Sequence, residues 1–176
     1  MHRFRLTVGA VLIGGAVLAA PEAPAIAEEG EIVIAQPVLR QQFDPTAVVA
    51  TTDFLIQDML FDGLMNLTED GITPALAESW TISNEGKHVD FKLREGVTFH
   101  NGDPFTAEDV KFTFEKLLSP DSTHSYRKPF QAALEGVEVL GPHEARFVLK
   151  APWPGLFTGS RNALISIAPK NYYEKV

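Results

Sequence analysis

The chain has 176 residues, 45% of them hydrophobic and 22% charged, with no cysteine and a formal net charge of −8 at pH 7. Without cysteine, disulfides cannot stabilise the fold. An acidic chain with no basic cluster argues against nucleic acid and anionic membrane surfaces as partners.

The N-terminus reads as a secretory signal peptide. Arg3 and Arg5 form a positive n-region, Leu6 to Ala20 is uncharged, and Ala25 and Ala27 stand in the A-x-A arrangement before Glu28. Cleavage is expected after Ala27. The uncharged stretch, Leu6 to Pro21, is shorter than the roughly 20 residues a spanning helix needs. No cysteine follows it to accept a lipid. The expectation is a soluble exported protein, periplasmic in a cell with two membranes. Removing Arg3, Arg5 and Glu22 leaves 13 basic and 22 acidic residues on a mature part long enough for one domain with its own core.

"EIVIA" (Glu31 to Ala35) is a short β-branched run that predicts a buried strand. A long connection follows, with a turn signal at Asp44-Pro45. "TTDFLIQDMLFDGL" predicts a helix. Thr51 or Thr52 can cap it, Leu55/Met59 and Ile56/Leu60 repeat at helical spacing, and Gly63 ends it. The period then changes. "LMNL" is short and apolar, Thr68 to Gly71 is a turn, "SWTIS" is strand-like, and Asn84 to Lys87 is another turn. "HVDFKLR" alternates, with Val89, Phe91 and Leu93 on one face and His88, Asp90, Lys92 and Arg94 on the other.

Thr106 to Leu118 predicts a helix, because Val110, Phe114, Leu117 and Leu118 share one face. "SPDSTHSYRKPF" reads as a polar loop. "GVEVL" and "EARFVLK" flank "GPH" as a hairpin, "APWPGLF" is a loop or short helix, and "ALISIA" returns as a strand. A helix starts after Pro169, and the chain stops about one turn into it without a cap, as expected of a fragment of a longer protein. Grouped hairpins with two or three helices predict an α+β fold.

The densest polar cluster lies in "EGVTFHNGDPFTAEDVKFTFEKL" (Glu95 to Leu117). One reading makes His100, Asp103 and Asp109 the ligands of an exported metal-dependent enzyme. The spacing matches neither H-E-x-x-H nor a calcium loop, and Glu108 and Asp109, adjacent on a helix, do not face each other. The structural reading covers each residue. Asn101-Gly102 suits a tight turn, Thr106 is an N-cap, and Glu108 and Asp109 occupy a first helical turn, where the macrodipole favours negative charge. That reading is preferred, with neither a catalytic nor a metal site assigned and no cofactor expected.

The order of residues in "PALAESWTISNEGKHVDFKLREGVTFHNGDPFTAEDVKFTFEKL" (Pro74 to Leu117) resembles the signature of the family 5 extracellular solute-binding proteins, the peptide- and nickel-type receptors of ATP-binding cassette importers. "FDGLMNL" and "VEVLGPHEARFVLKAPWPGLF" look like the family's flanking segments. The resemblance implies part of the first lobe of a two-lobed, type II-like periplasmic binding protein, with a mixed sheet. Residues 28–176 would then be the N-terminal part of a solute-binding domain. It implies capture of a small solute, oligopeptides or dipeptides first, delivery to an inner-membrane permease, and a monomer. It also places the signature away from the cleft and ligand contacts on loops, at Gln41, Gln42, Thr52, Tyr126 and Arg161. Trp80 and Trp153 read as core and lobe-edge packing.

Overall fold

In the chain's computed structural model, residues 44–47, 51–156 and 165–175 are described. The predicted signal peptide and the predicted strand Glu31 to Ala35 lie outside the described residues. Helix α1 (Thr51–Leu60) leads into a hairpin of β1 (Met65–Thr68) and β2 (Gly71–Pro74). Strands β3 (Ala77–Ser83) and β4 (His88–Leu93) follow, then α2 (Ala107–Leu118) and α3 (Arg127–Ala133). Strands β5 (Leu134–Gly141) and β6 (Glu144–Leu149) form the last hairpin, and α4 (Lys170–Tyr173) closes the order.

The larger sheet runs β3-β4-β6-β5. The architecture is the α+β arrangement the sequence predicts. Every pairing among the described strands is antiparallel, so the expected mixture of strand directions is not seen there.

Alternation decides which face of the sheet is buried. Val89, Phe91 and Leu93 of β4 are buried, as are Ala145, Phe147 and Leu149 of β6. They meet the predicted face of α2, where Val110, Phe114 and Leu117 are buried and Leu118 is half-buried. Aromatic rings run through this core in an unbroken row. Trp80 lies 6.4 Å from Phe91, Phe91 4.9 Å from Phe147, and Phe147 4.7 Å from Phe114. Phe114 lies 5.3 Å from Phe130, and Phe130 5.1 Å from Trp153. Both tryptophans are partly buried against the core, as the sequence reading expects. The opposite sheet face is polar, with Asp90 opposite Arg146 in a two-pronged ion pair at 2.7 and 2.9 Å.

Four details differ from expectation. Residues Arg127 to Phe130 belong to α3 rather than to a loop. Pro129 sits in the first turn, where its missing N–H costs no helical bond. Gly71 to Pro74 forms β2, although its four residues carry no clear alternation. Ser166 makes only an isolated bridge to Gly63, so the described part of "ALISIA" is not a full strand. In α1, Met59 and Leu60 are exposed, and the described residues facing inward are Phe54 and Gln57, one turn apart. The turn between β3 and β4 departs from the usual backbone regions in a way its sequence suits. Asn84 and Glu85 both have positive φ, 50° and 54°, and Gly86 follows at 86°.

Candidate functional site

Segments distant in sequence meet at one junction among the described residues. The turn at Asp44, the inner face of α1 and the loop after α2 meet there, and α4 closes it from the side. Each is positioned by ordinary local chemistry.

Asp44 forms an Asx turn. Its Oδ1 accepts from the Thr46 N–H at 2.8 Å and from the Thr46 hydroxyl at 2.7 Å. Its carbonyl accepts from the Ala47 N–H at 3.1 Å. Two distant residues then lock the turn in place. The Gln57 side-chain amide, buried on α1, donates to the Asp44 carbonyl at 2.8 Å. The Tyr173 hydroxyl on α4 donates to Asp44 Oδ1 at 2.9 Å. Burial and this bond to a carboxylate push the Tyr173 phenol well above its ordinary range, so it stays protonated.

His124 and Tyr126 bring the loop after α2 against α1. The Phe54 ring lies 6.3 Å from His124 and 5.6 Å from Tyr126, both edge-on. His124 is only 4% exposed. Its Nδ1 accepts from the Tyr126 backbone N–H at 3.1 Å, which assigns the ring proton to Nε2 in the neutral tautomer. Burial pushes the imidazole down to about 4, against the opposing pull of the Asp44 carboxylate. The junction thus joins a neutral, buried histidine, a half-buried tyrosine and a carboxylate held by three donors. Its aromatic rings and hydrogen-bonding groups pack on and bond to one another.

A second set of bonds ties this junction to α2. Thr106 and Asp109 form a capping box. Asp109 Oδ2 accepts from the Thr106 N–H at 2.9 Å and from its hydroxyl at 3.0 Å. The other oxygen, Oδ1, accepts from the backbone N–H of Lys170, 61 residues away, at 2.9 Å. One turn later the Thr113 hydroxyl donates to the Asp109 carbonyl at 2.7 Å and accepts from the Ala168 N–H at 2.9 Å. Lys170 Nζ also reaches Glu108 at 3.1 Å. The N-terminus of α2 therefore grips the segment that leads into α4.

The sequence-predicted residues fare differently. Tyr126 stands in the junction. Thr52 lies in the first turn of α1, and its side chain is outside the description. Gln41, Gln42 and Arg161 lie outside the described residues. His100, Asp103 and Asp109 do not form a metal set. Both Asp109 oxygens are committed as above, and Asp103 is bonded to the Asn101 side chain at 2.9 Å. Among the described residues, no three His, Cys, Asp or Glu side chains gather where an ion would sit. His100 instead borders a crevice of about 280 Å³ with Phe61, Phe99, Asn101, Pro169, Tyr172 and Tyr173. Sequence reasoning missed Gln57, His124 and Tyr173. The first two had a signal, since Gln57 shares a helix face with Phe54 and His124 precedes Tyr126 by two residues.

Comparison with known proteins agrees with this architecture. The family model for bacterial extracellular solute-binding proteins, family 5 Middle, matches residues 71–175. Di/tripeptide-binding protein 1 of Pseudomonas aeruginosa is 34% identical over 128 residues, 61% of this chain and 24% of the relative. The oligopeptide-binding protein AppA from Bacillus subtilis, solved in complex with a nonapeptide, superposes with a TM-score of 0.68 at 30% identity, over 76% of this chain and 26% of that one. NikZ from Campylobacter jejuni, solved with Ni(L-His), gives a TM-score of 0.65 at 30% identity, over 78% and 27%. The chain spans about a quarter of the length of the relatives it matches. No helix among the described residues is long and apolar enough to cross a membrane. With most of its length under one family model and its fold shared with that family's solved members, the chain belongs to the family 5 bacterial extracellular solute-binding proteins.

Proposed function

We propose that the chain is the N-terminal part of the capture component of an ATP-binding cassette importer. It is exported, cleaved after Ala27, free of a lipid anchor, and works in the periplasm as a monomer. It collects short peptides and hands them to an inner-membrane permease, and it binds its solute without transforming it. The observation that carries this reading is the family match over residues 71–175, joined by a relative named for di- and tripeptide binding. Tyr126, Gln41, Gln42, Thr52 and Arg161 would line the first-lobe side of the cleft. A second lobe would close on the solute from the other side.

Binding to the native state alone raises the melting temperature by mass action, about 2.7 kcal/mol of stabilisation at a hundredfold excess over Kd. The protein at its natural length should therefore melt higher in millimolar dipeptides and tripeptides. Parallel samples with Ni(L-His) separate a peptide receptor from a nickel receptor. A protein that responds to none of these, and retains no small molecule by native mass spectrometry, overturns the reading.

A further inference from the structure

We infer that Asp109 and Thr113 of α2 are positioning residues for the Asp44 turn, acting through the segment Ile167 to Tyr173. A continuous path of contacts carries the effect. Asp109 Oδ1 fixes the Lys170 N–H, and Thr113 Oγ1 fixes the Ala168 N–H. Lys170 opens α4, and three residues later the Tyr173 hydroxyl lands on Asp44 Oδ1. The same oxygen takes the Thr46 hydroxyl and N–H, and the Asp44 carbonyl takes Gln57. The Tyr173 ring also packs 5.8 Å from Phe112 of α2, so the helix touches both ends of α4.

The geometry explains why an aspartate stands at this point of the helix. Its two oxygens point to different jobs, one closing the N-terminus of α2 and one holding a chain segment 61 residues away. A glutamine or asparagine keeps a single carbonyl oxygen and cannot accept along both directions. Thr113 is likewise bifunctional, donating within the helix and accepting from outside it. The signature's polar residues are thus not solvated decoration on a cap. They set where α4 sits, and α4 sets where the Asp44 turn sits against His124 and Tyr126. This inference rests on the solute-binding reading for its functional consequence, but the relay itself is testable without any solute.

The test uses the natural-length protein with 13Cζ-labelled tyrosine. The Tyr173 resonance is identified by its loss in Tyr173→Phe, and its ionisation is followed by NMR as pH rises. In the parent protein Tyr173 titrates above the other tyrosines. In Thr113→Val, which keeps side-chain shape but removes the acceptor for Ala168, and in Asp109→Asn, its titration should fall back toward the ordinary range. Lys92→Ala, on the interior strand β4 with an exposed side chain paired to Glu78 and no part in this path, should leave it unchanged. An unaltered Tyr173 titration in both α2 variants overturns the relay. For the consequence, Thr113→Val and Tyr173→Phe should each weaken solute binding by about tenfold, the scale of one hydrogen bond to a charged group. The double variant should be no worse than either single one. Additive losses would mean two independent structural defects and would also overturn the relay. A relay confirmed by NMR with no solute bound by the parent protein would count against the solute-binding reading alone.

Discussion

The sheet with α2 and the Asp44 junction are held together in opposite ways. The sheet region gains its stability from apolar area. Phe91, Phe105, Phe130 and Phe147 are almost fully buried, and alternation along β4 and β6 delivers every inward side chain to one face. The junction buries few large apolar side chains among its described residues. It is fixed by hydrogen bonds that converge on two carboxylates, Asp44 and Asp109, from residues far apart in sequence. Hydrophobic packing tolerates replacement by anything of similar shape. A carboxylate with divided oxygens tolerates far less, because its loss leaves several part-buried N–H and O–H donors unsatisfied at once.

Four variants or conditions would break or sharpen that contrast. Phe147→Ala should cost most. Its ring sits between Phe91 and Phe114, and its removal should lower unfolding free energy by about 3–5 kcal/mol, seen as a lower denaturant midpoint at unchanged slope. Acid should act mainly on the junction. The folded imidazole of His124 titrates near 4 while the unfolded one titrates near 6.5, so the unfolded state binds a proton first as pH falls. Stability should be flat above about pH 6.5 and fall through that window by up to ~3 kcal/mol, and His124→Asn should flatten the dependence.

Asp109→Ala comes next. Loss of the cap and of the Lys170 contact should cost about 2 kcal/mol in denaturant unfolding, more than the roughly 1 kcal/mol of an ordinary N-cap. Lys92→Ala should cost least. Its ion pair with Glu78 is exposed on both sides, so the change should stay within about 0.5 kcal/mol. If Asp109→Ala were as mild as Lys92→Ala, the junction would not be held by its carboxylates.

Much of the sheet region was legible in the sequence, and the reason is periodicity. Val89, Phe91 and Leu93 can form a half-buried strand in only one register, and Val110, Phe114 and Leu117 can form only one helical face. Elements without a repeating pattern were harder. Gly71 to Pro74 is too short to alternate, and Pro129 disguised the first turn of α3. In α1 the expected apolar pairs misled, because the face turned inward carries Phe54 and the polar Gln57 while Met59 and Leu60 face solvent.

For the junction, only its neighbourhood was legible. Asp44-Pro45 announced a turn, and Tyr126 was singled out on its loop. The partners that join them were not visible, since Tyr173 meets Asp44 across 129 residues and Lys170 meets Asp109 across 61. No local pattern encodes such a pairing. The first turn of α2 shows this most clearly. The sequence reading correctly made Asp109 a helix N-terminal residue, and that role accounts for one of its two oxygens.

The row of rings through the core has Trp80 and Trp153, the only two indoles in the chain, as its terminal members, and both border one crevice with Val89 and Leu149. Indole emission shifts with the polarity around it, so the chain carries two built-in optical reporters on one crevice. Trp153 sits three residues before Leu156 in the sequence. Replacing each tryptophan in turn with phenylalanine would give a label-free reading of what each indole reports about that crevice when a solute arrives.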